Sequence, residues 1–310
     1  MLKNAIKKSL QISIPSLLVS FSIGVTIKEI GTIQQAQEEL HKADNQTLVV
    51  FDIDGTLTED FNSWLLFQLY EPEALAQEDA TFIRQARTKF EIYRNEKGAE
   101  NIDELTTASS LLKSKAQLIE PSLTIALIND LQLRGVRVIA LTALPAGTFG
   151  TIPCGRTWRF ETLQKLGINF SSAFAQRQII FNTLKPQNGG YPMFYNGILF
   201  ANLLNDKGSV LGEFFNQAAW CPSKVLFFDD LKKNIESVEQ KMCEIGIPYQ
   251  GYWYRAAERL PNPKFDREIA QGQLQHLLRN DEYLCVDEAA TIVRATQNAR
   301  PSSQEYNFSA

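Results

Sequence analysis

The sequence is poor in the residues that build zinc sites, disulfide frameworks and nucleic-acid grooves. It has two histidines and four cysteines in 310 residues, and the cysteines are scattered, with neither a CxxC pair nor a histidine at zinc spacing. A structural zinc site is therefore not expected. The net charge is -4, and no Lys/Arg-rich run or stripe of alternating aromatic and basic residues is present. These features argue against nucleic acid as a partner.

Long uninterrupted apolar runs are also missing, so we expect no stable transmembrane span. The run from Leu10 to Val25 is broken by serines and a proline and is too short to predict a membrane helix. Lysines precede it, and Ser20–Ser22 offers a small-x-small cleavage site. This layout favours a signal peptide over residues 1–25 and export to the periplasm or beyond. The alternative is an N-terminal amphipathic helix or strand of a cytoplasmic protein.

Buried strands alternate with helical patterns along most of the chain. Continuous apolar runs of this kind are typical of parallel strands covered on both faces, and the alternation predicts an α/β fold with a doubly wound, mostly parallel sheet. We expect strands at Thr47–Phe51, Val136–Leu141, Lys224–Phe228 and Tyr249–Tyr254, further strands on both sides of a turn within 178–200, and a helix over 27–42.

One long segment interrupts this alternation. Residues 60–120 show helical apolar spacing and no strand-like run, which predicts a helical cap insert. The core domain then comprises residues 26–59 and 121–300, and the polar residues 301–310 are expected to form a flexible tail.

Acidic residues follow two of the predicted strands directly. Asp52 and Asp54 come after the first strand, Asp229 and Asp230 end another, and Thr142 closes the strand between them in the chain. In doubly wound sheets, ligands bind at the carboxyl ends of the strands. A cluster of carboxylates at one edge is costly unless a hard divalent cation is bound, and Mg²⁺ fits because it takes few carboxylates and leaves room for water and phosphate.

The same residues resemble the four motifs of the haloacid dehalogenase (HAD) superfamily. Residues 50–58 match its first motif, DxDGTxT, and Thr142, Lys207 and Asp229-Asp230 match the second, third and fourth in order. The segments at 162–170, 195–200 and 227–231 look like an uncharacterised branch of that superfamily found in Gram-negative bacteria. The resemblance covers about residues 47–255 without the insert, and it implies a Rossmann-like core.

This resemblance implies a Mg²⁺-dependent phosphatase that acts on a small phosphorylated molecule. Asp52 would be the nucleophile that forms an aspartyl-phosphate, and Asp54 the acid/base, a residue that the family's dehalogenases lack. Thr142 and Lys207 would bind the phosphoryl oxygens. Metal ligands would be drawn from the first and fourth motifs, namely Asp52, Asp54 through its backbone carbonyl, Asp230 and, in direct contact or behind it, Asp229.

Two other interpretations stay open. The chain could transfer the phosphoryl group to another acceptor, or it could be a binding or host-directed protein that keeps the fold without turnover. A protein partner has no support in the sequence. Arg156, Trp158 and Arg159 begin a predicted helix, where packing and solvent contact are favoured over contact with a substrate.

Overall fold

The structure is a computed structural model, and it describes residues 25–60, 77–96, 109, 112–113, 116–187, 190–260, 266–280, 284 and 286–298. The expected cleavage site and the expected flexible tail at 301–310 lie outside the described residues. The strands are β1 Val25–Ile30, β2 Thr47–Phe51, β3 Thr58–Asp60, β4 Ala116–Leu118, β5 Arg137–Thr142, β6 Gln178–Ile180, β7 Met193–Tyr195, β8 Ile198–Phe200, β9 Lys224–Asp229 and β10 Tyr249–Tyr254.

Helices connect most of these strands. They are α1 Gln37–Lys42, α2 Gln77–Glu96, α3 Pro121–Leu133, α4 Gly155–Lys165, α5 Lys207–Ala218, α6 Lys232–Ile245, α7 Arg267–Asn280 and α8 Val286–Asn298, with short 3₁₀ turns at Ile33–Ala36 and Ala257–Arg259. Within the described ranges, no helix has the length and apolar character needed to cross a membrane.

One large sheet organises the molecule. Its strand order is β1-β10-β9-β2-β5-β8-β7-β6. The strands from β1 to β8 in that order pair in parallel, and β7 and β6 add antiparallel pairs at one edge. The predicted α/β class with a mostly parallel sheet is confirmed.

The central strand β2 is apolar throughout because both of its faces are buried. Leu48 and Val50 pack into the apolar cluster on one face of the sheet, whereas Val49 and Phe51 pack into the cluster on the other. The ring of Phe51 stacks on that of Phe228 at 4.8 Å between centroids. A residue that follows β2 is therefore held by a rigid, fully covered strand.

The helix predicted over 27–42 is wrong in its first part. Residues Val25–Ile30 form the edge strand β1, which pairs in parallel with β10 from Val25↔Tyr249 to Ile30↔Tyr254. Helical structure begins only at Ile33, as one 3₁₀ turn that leads into α1. Pairing with β10 overrides the helical spacing, and the β-branched residues Val25, Thr26 and Ile27 suit a strand.

The insert is helical where α2 lies, but short strands flank it. Strands β3 and β4 form an antiparallel pair with Thr58 opposite Leu118, so the expectation that 60–120 lacks strands is wrong at its ends. Three-residue strands are too short to give a sequence pattern. The Arg267 side chain of α7 reaches Glu78 at 3.4 Å and Asp79 at 3.6 Å, so α7 packs against α2.

Candidate active site

The carboxyl ends of three neighbouring strands bring the predicted site residues to one edge of the sheet. The backbone N–H of Asp52 still donates to the carbonyl of Phe228 at 2.8 Å, directly beyond β2. Asp229 is the last residue of β9, and Thr142 is the last residue of β5. Because β9 and β5 flank β2 in the sheet, these side chains lie at the same edge.

A tight loop follows Asp52. The backbone N–H groups of Leu57 and Thr58 both donate to the carbonyl of Ile53, at 2.9 and 2.8 Å. The loop requires glycine at position 55, where φ is +85° and an added Cβ would lie 2.5 Å from Oδ2 of Asp230. Gly55 therefore allows the loop to approach the end of β9.

Lys207 joins the ends of β2 and β9. Its Nζ donates to Asp52 Oδ1 and, at 2.7 Å, to Asp229 Oδ2. Lys207 opens α5, whose N-cap Asp206 accepts the backbone N–H of Ser209 at 2.8 Å. All three charged side chains are at least nine-tenths buried, and we call Asp52, Lys207 and Asp229 the floor of the site.

The floor lies beside a third carboxylate, which completes a group suited to a divalent cation. Asp52, Asp229 and Asp230 each present a carboxylate oxygen, and these oxygens lie within 4.8 Å of one another. Asp229 is also held by the N–H of Leu231 at 2.8 Å and by the amide of Asn234 at 2.9 Å. In contrast, Oδ1 of Asp230 is buried and has no hydrogen-bond partner in the described part of the chain.

This arrangement passes a simple test of fit for a hard metal ion. One lysine faces three carboxylates, and a buried carboxylate oxygen without a partner is costly in a folded protein. A divalent cation with oxygen ligands would balance the remaining negative charge and would bind the carboxylate oxygen that has no partner. The acidic cluster is therefore able to bind a metal.

The titration of these groups reflects their burial. Burial raises the pKa of Asp52 well above its usual value, although Lys207 opposes the shift. Burial, and then the charge of Asp229, raises the pKa of Asp230 to about 6. Burial disfavours the charge of Lys207, but the carboxylates of Asp229 and Asp52 outweigh it and raise its pKa. Lys207 is thus a permanent cation in the floor.

Asp54 is two residues from Asp52 in the sequence, but its side chain has a different partner. Both of its carboxylate oxygens accept from Nη2 of Arg159, at 2.8 and 2.7 Å. Its side chain is 42% exposed, whereas that of Arg159 is 1% exposed. The Asp54 carboxylate is not part of the acidic cluster, so the predicted metal contact could come only from its backbone carbonyl, as the sequence analysis proposed.

Thr142 is buried at the end of β5. Its hydroxyl oxygen accepts the backbone N–H of Leu144 at 3.1 Å, and among the described residues no acceptor takes its hydroxyl hydrogen, which could therefore bind a ligand. The expected role of Thr142 and Lys207 in phosphate binding stays a prediction, as do the expected catalytic and metal-binding roles of the four aspartates.

Two residues near Asp54 have surroundings that the sequence does not predict. Glu59 lies on β3, and burial together with the charges of Asp230 and Asp54 raises its pKa to about 7; we call Asp54 and Glu59 the rim of the site. The sequence favours packing and solvent contact for Arg159, whereas in the structure its side chain is buried and pairs with Asp54. The only sequence signal for Glu59 was its position directly after the first motif, and nothing local linked residue 159 to residue 54.

Two solved structures resemble the fold at low similarity. One is a HAD-superfamily hydrolase of subfamily IA from Geobacter sulfurreducens, with 12% identity, a TM-score of 0.35, and coverage of 70% of this chain and 96% of that chain. The other is a haloacid dehalogenase-like hydrolase from Streptococcus pneumoniae, with 13% identity, a TM-score of 0.30, and coverage of 67% and 94%.

Two relatives in sequence share most of the chain's length. An uncharacterized protein of Rickettsia prowazekii is 26% identical over 263 residues, which covers 83% of this chain and 86% of that protein. A Chlamydia trachomatis protein that bears the name "Putative outer membrane protein" is 25% identical over 241 residues, which covers 76% of this chain and 84% of that protein. A family profile matches residues 29–289. The chain therefore belongs to that family, which is described as a protein of unknown function (DUF2608).

Proposed function

We propose that this protein is a Mg²⁺-dependent phosphatase that hydrolyses a phosphomonoester of a small molecule through an aspartyl-phosphate on Asp52. The observation that carries the proposal is the floor: Asp52 lies buried between the cation Lys207 and the carboxylates of Asp229 and Asp230. A carboxylate is a competent covalent nucleophile when its position and charge are controlled in this way.

In the first step, an Asp52 carboxylate oxygen attacks the phosphorus atom, and the bond from phosphorus to the ester oxygen breaks. Asp54 donates a proton to that leaving oxygen, which departs as an alcohol. Lys207 and the hydroxyl of Thr142 stabilise the negative charge that builds up on the phosphoryl oxygens. The rigid end of β2 holds Asp52 ready for the attack, so little reorganisation is needed.

In the second step, water attacks the phosphorus atom and the bond to Asp52 breaks. Asp54, which is now ionised, accepts a proton from this water. The step releases inorganic phosphate and returns Asp52 to its carboxylate form. The half-exposed position of Asp54 suits a group that must exchange protons with both the leaving oxygen and solvent water.

The residues that would hold Mg²⁺ are Asp52, Asp230 and the backbone carbonyl of Asp54, with Asp229 in contact or directly behind. When bound, the ion supplies charge that offsets repulsion between the carboxylates and the phosphate. Asp230 is the strongest candidate among the side chains because its Oδ1 is buried without a partner among the described residues.

Transfer of the phosphoryl group to another acceptor is the rival reaction. It uses the same first step, and the acceptor in the second step would be an alcohol in place of water. A binding protein without turnover is the rival from another class, and a fully formed floor with a buried nucleophile and cation favours catalysis over it. Substrate selection belongs to the insert, which in a capped enzyme also excludes bulk water.

Hydrolysis of para-nitrophenyl phosphate tests the proposal. Protein lacking residues 1–22 should release phosphate with Mg²⁺ but not with EDTA, and Asp52→Asn should abolish turnover. The matched control is Asp130→Asn, which removes an exposed carboxylate on α3 and should keep full activity. If wild-type protein binds Mg²⁺ but hydrolyses neither this ester nor a panel of phosphorylated metabolites, the binding-protein alternative replaces the proposal.

We also propose that the chain is exported by its N-terminal segment. Lysines followed by an interrupted apolar run support this. The name of the Chlamydia relative is consistent with an envelope location. N-terminal sequencing of protein from fractionated cells should find a periplasmic form that begins after Ser22, and a full-length form confined to the cytoplasm would contradict export.

A further inference from the structure

The ion pair between Asp54 and Arg159 is not explained by the phosphatase proposal alone. The two aspartates of the first motif are two residues apart, yet each has its own cation: Lys207 for Asp52, and Arg159 for Asp54. Nη2 of Arg159 lies almost equally far from both Asp54 oxygens, at 2.8 and 2.7 Å. This geometry fixes the carboxylate as a whole and not one oxygen alone.

Arg159 is deeply buried for a charged residue. Its side chain is 1% exposed, its guanidinium lies 4.8 Å from the ring centroid of Trp158, and its Nε has no hydrogen-bond partner in the described part of the chain. A buried guanidinium is costly unless an anion compensates its charge. Asp54 supplies that anion from the exposed side.

The helix that carries Arg159 is anchored to the loop that follows β5. At the start of α4, the N–H of Gly155 donates to the carbonyl of Gly147 at 2.7 Å, and that of Arg156 donates to Ala146 at 3.0 Å. Gly155 also packs so closely on the Pro145 carbonyl that a Cβ could not fit. Arg159 therefore projects from a helix with a fixed start.

We propose that Arg159 is the positioning residue for Asp54: it holds the Asp54 carboxylate outside the Asp52, Asp229 and Asp230 cluster and keeps it available for proton transfer to the leaving oxygen. This inference rests on the proposed phosphatase function. Without the guanidinium, a half-exposed carboxylate is free to rotate or to move towards a bound cation, and a proton donor out of place loses most of its effect.

Leaving groups of different acidity provide the test. Para-nitrophenolate departs readily without a proton, whereas the alkoxide of an alkyl phosphate such as glycerol phosphate needs one. We compare kcat and KM for the two esters in wild type, Asp54→Asn, Arg159→Met, Arg159→Lys and the double variant Asp54→Asn/Arg159→Met. The matched control is Lys165→Met, which removes an exposed cation from the far end of the same helix.

We expect Asp54→Asn to lower kcat for the alkyl ester by about 10²–10⁴-fold, the usual contribution of general acid catalysis, with a much smaller loss for the aryl ester. Arg159→Met should show the same selectivity with KM little changed, and Arg159→Lys should restore part of the loss. The double variant should be no slower than Asp54→Asn, because both changes remove one function. Lys165→Met should match wild type.

Calorimetric titration with Mg²⁺ gives a readout that is independent of turnover. Because Arg159 touches Asp54 and not the acidic cluster, Mg²⁺ affinity should stay within about twofold of wild type in Arg159→Lys and Arg159→Met, far below the 10–100-fold loss typical when a group that orients metal ligands is removed. A loss of tenfold or more would overturn the assignment, because Arg159 would then act through the metal site.

The remaining outcomes separate this inference from the proposed function. Equal losses of kcat for both esters, or losses in the double variant that multiply, would overturn the role of Arg159 and leave the phosphatase intact. Turnover that is faster in Arg159→Lys than in wild type would also overturn this role, because the native ion pair would then restrain Asp54 from acting. Absence of hydrolysis in wild-type protein would overturn both proposals together.

Discussion

Asp52 and Asp54 are two residues apart in the chain, yet their surroundings differ in almost every respect. Asp52 extends a fully buried strand, pairs with a buried lysine and faces two other carboxylates. Asp54 lies in the loop beyond, is 42% exposed and pairs with an arginine from another layer of the fold. The comparison teaches that strand ends place the aspartates of the floor, whereas the contact made by Asp54 depends on Arg159, which comes from a distant segment of the chain.

This difference has a chemical counterpart. A nucleophile benefits from burial and a fixed position, because it must attack one atom along one direction. An acid/base must exchange protons with a leaving group and with water, so partial exposure suits it. In the proposed mechanism, the nucleophile therefore lies in the buried floor, and the acid/base lies in the more exposed rim.

Removal of the floor's cation should have the largest effect on stability. Lys207→Met would leave Asp52 and Asp229 buried without a cation, which costs about 3–5 kcal/mol when one partner of a buried pair is removed. Urea unfolding in EDTA measures the loss, and saturating Mg²⁺ should recover part of it.

The matched control for that variant is Lys224→Met. Lys224 pairs with Glu39, and both side chains are about one-third exposed, so the loss should stay within about 1 kcal/mol. Equal losses in the two variants would contradict the contrast between a buried floor and an ordinary surface pair.

The close approach of the loop to β9 gives the next prediction. Gly55→Ala should destabilise the protein by about 1–2 kcal/mol through its positive φ alone, and more through the contact with Asp230. Gly135→Ala is the control, because φ is +79° there and no atom lies within 4 Å of an added Cβ. The difference between the unfolding temperatures of the two variants measures the cost of the contact with Asp230. The affinity for Mg²⁺ should fall only in Gly55→Ala. Equal effects on Mg²⁺ binding would place Asp230 outside the metal site.

The rim should show the smallest effect, and one of opposite sign. The pKa of Glu59 is raised from 4.5 to about 7, so the folded protein binds the proton more tightly than the unfolded chain does. The penalty from this carboxylate is therefore absent below pH 4.5, grows between pH 4.5 and 7, and is complete above pH 7.

Replacement by a neutral isostere removes this penalty. In EDTA, Glu59→Gln should be more stable than wild type at pH 8, by about 1 kcal/mol because solvent screens this partly exposed carboxylate, and should match wild type at pH 4.5. The exposed Glu161→Gln on α4 serves as the control and should show no such trend. Denaturant midpoints across this pH range measure the difference in stability. If Glu59→Gln is no more stable than wild type at pH 8, the charge of Glu59 does not destabilise the folded protein.

The aspartates of the floor could be predicted from sequence because they lie at the ends of recognisable strands. Apolar runs located β2, β5 and β9, and the residues after each run were the ones that meet at the sheet edge. Their match to four motifs in order added Lys207, which no strand pattern would have found. In these elements, local sequence and global fold agree.

The partner of Asp54 and the strands β1, β3 and β4 could not be predicted, for physical reasons. Arg159 and Asp54 are separated by 105 residues, so their contact depends on how α4 packs and not on any local spacing. The apolar residues at helical intervals begin at Ile30, whereas Val25–Ile30 form β1 by pairing with β10, which is distant in the sequence. Strands β3 and β4 have three residues each and need one another to form.

The central claim, that Asp52 is the nucleophile, is tested most directly by trapping its phosphorylated form. Protein mixed with a phosphate ester and Mg²⁺ would be quenched in acid during turnover and reduced with borohydride, which converts an aspartyl-phosphate to homoserine. We predict homoserine at position 52 in the peptide that spans the first motif, and none in protein quenched without substrate. Sustained hydrolysis with unmodified aspartate at position 52 would contradict the account.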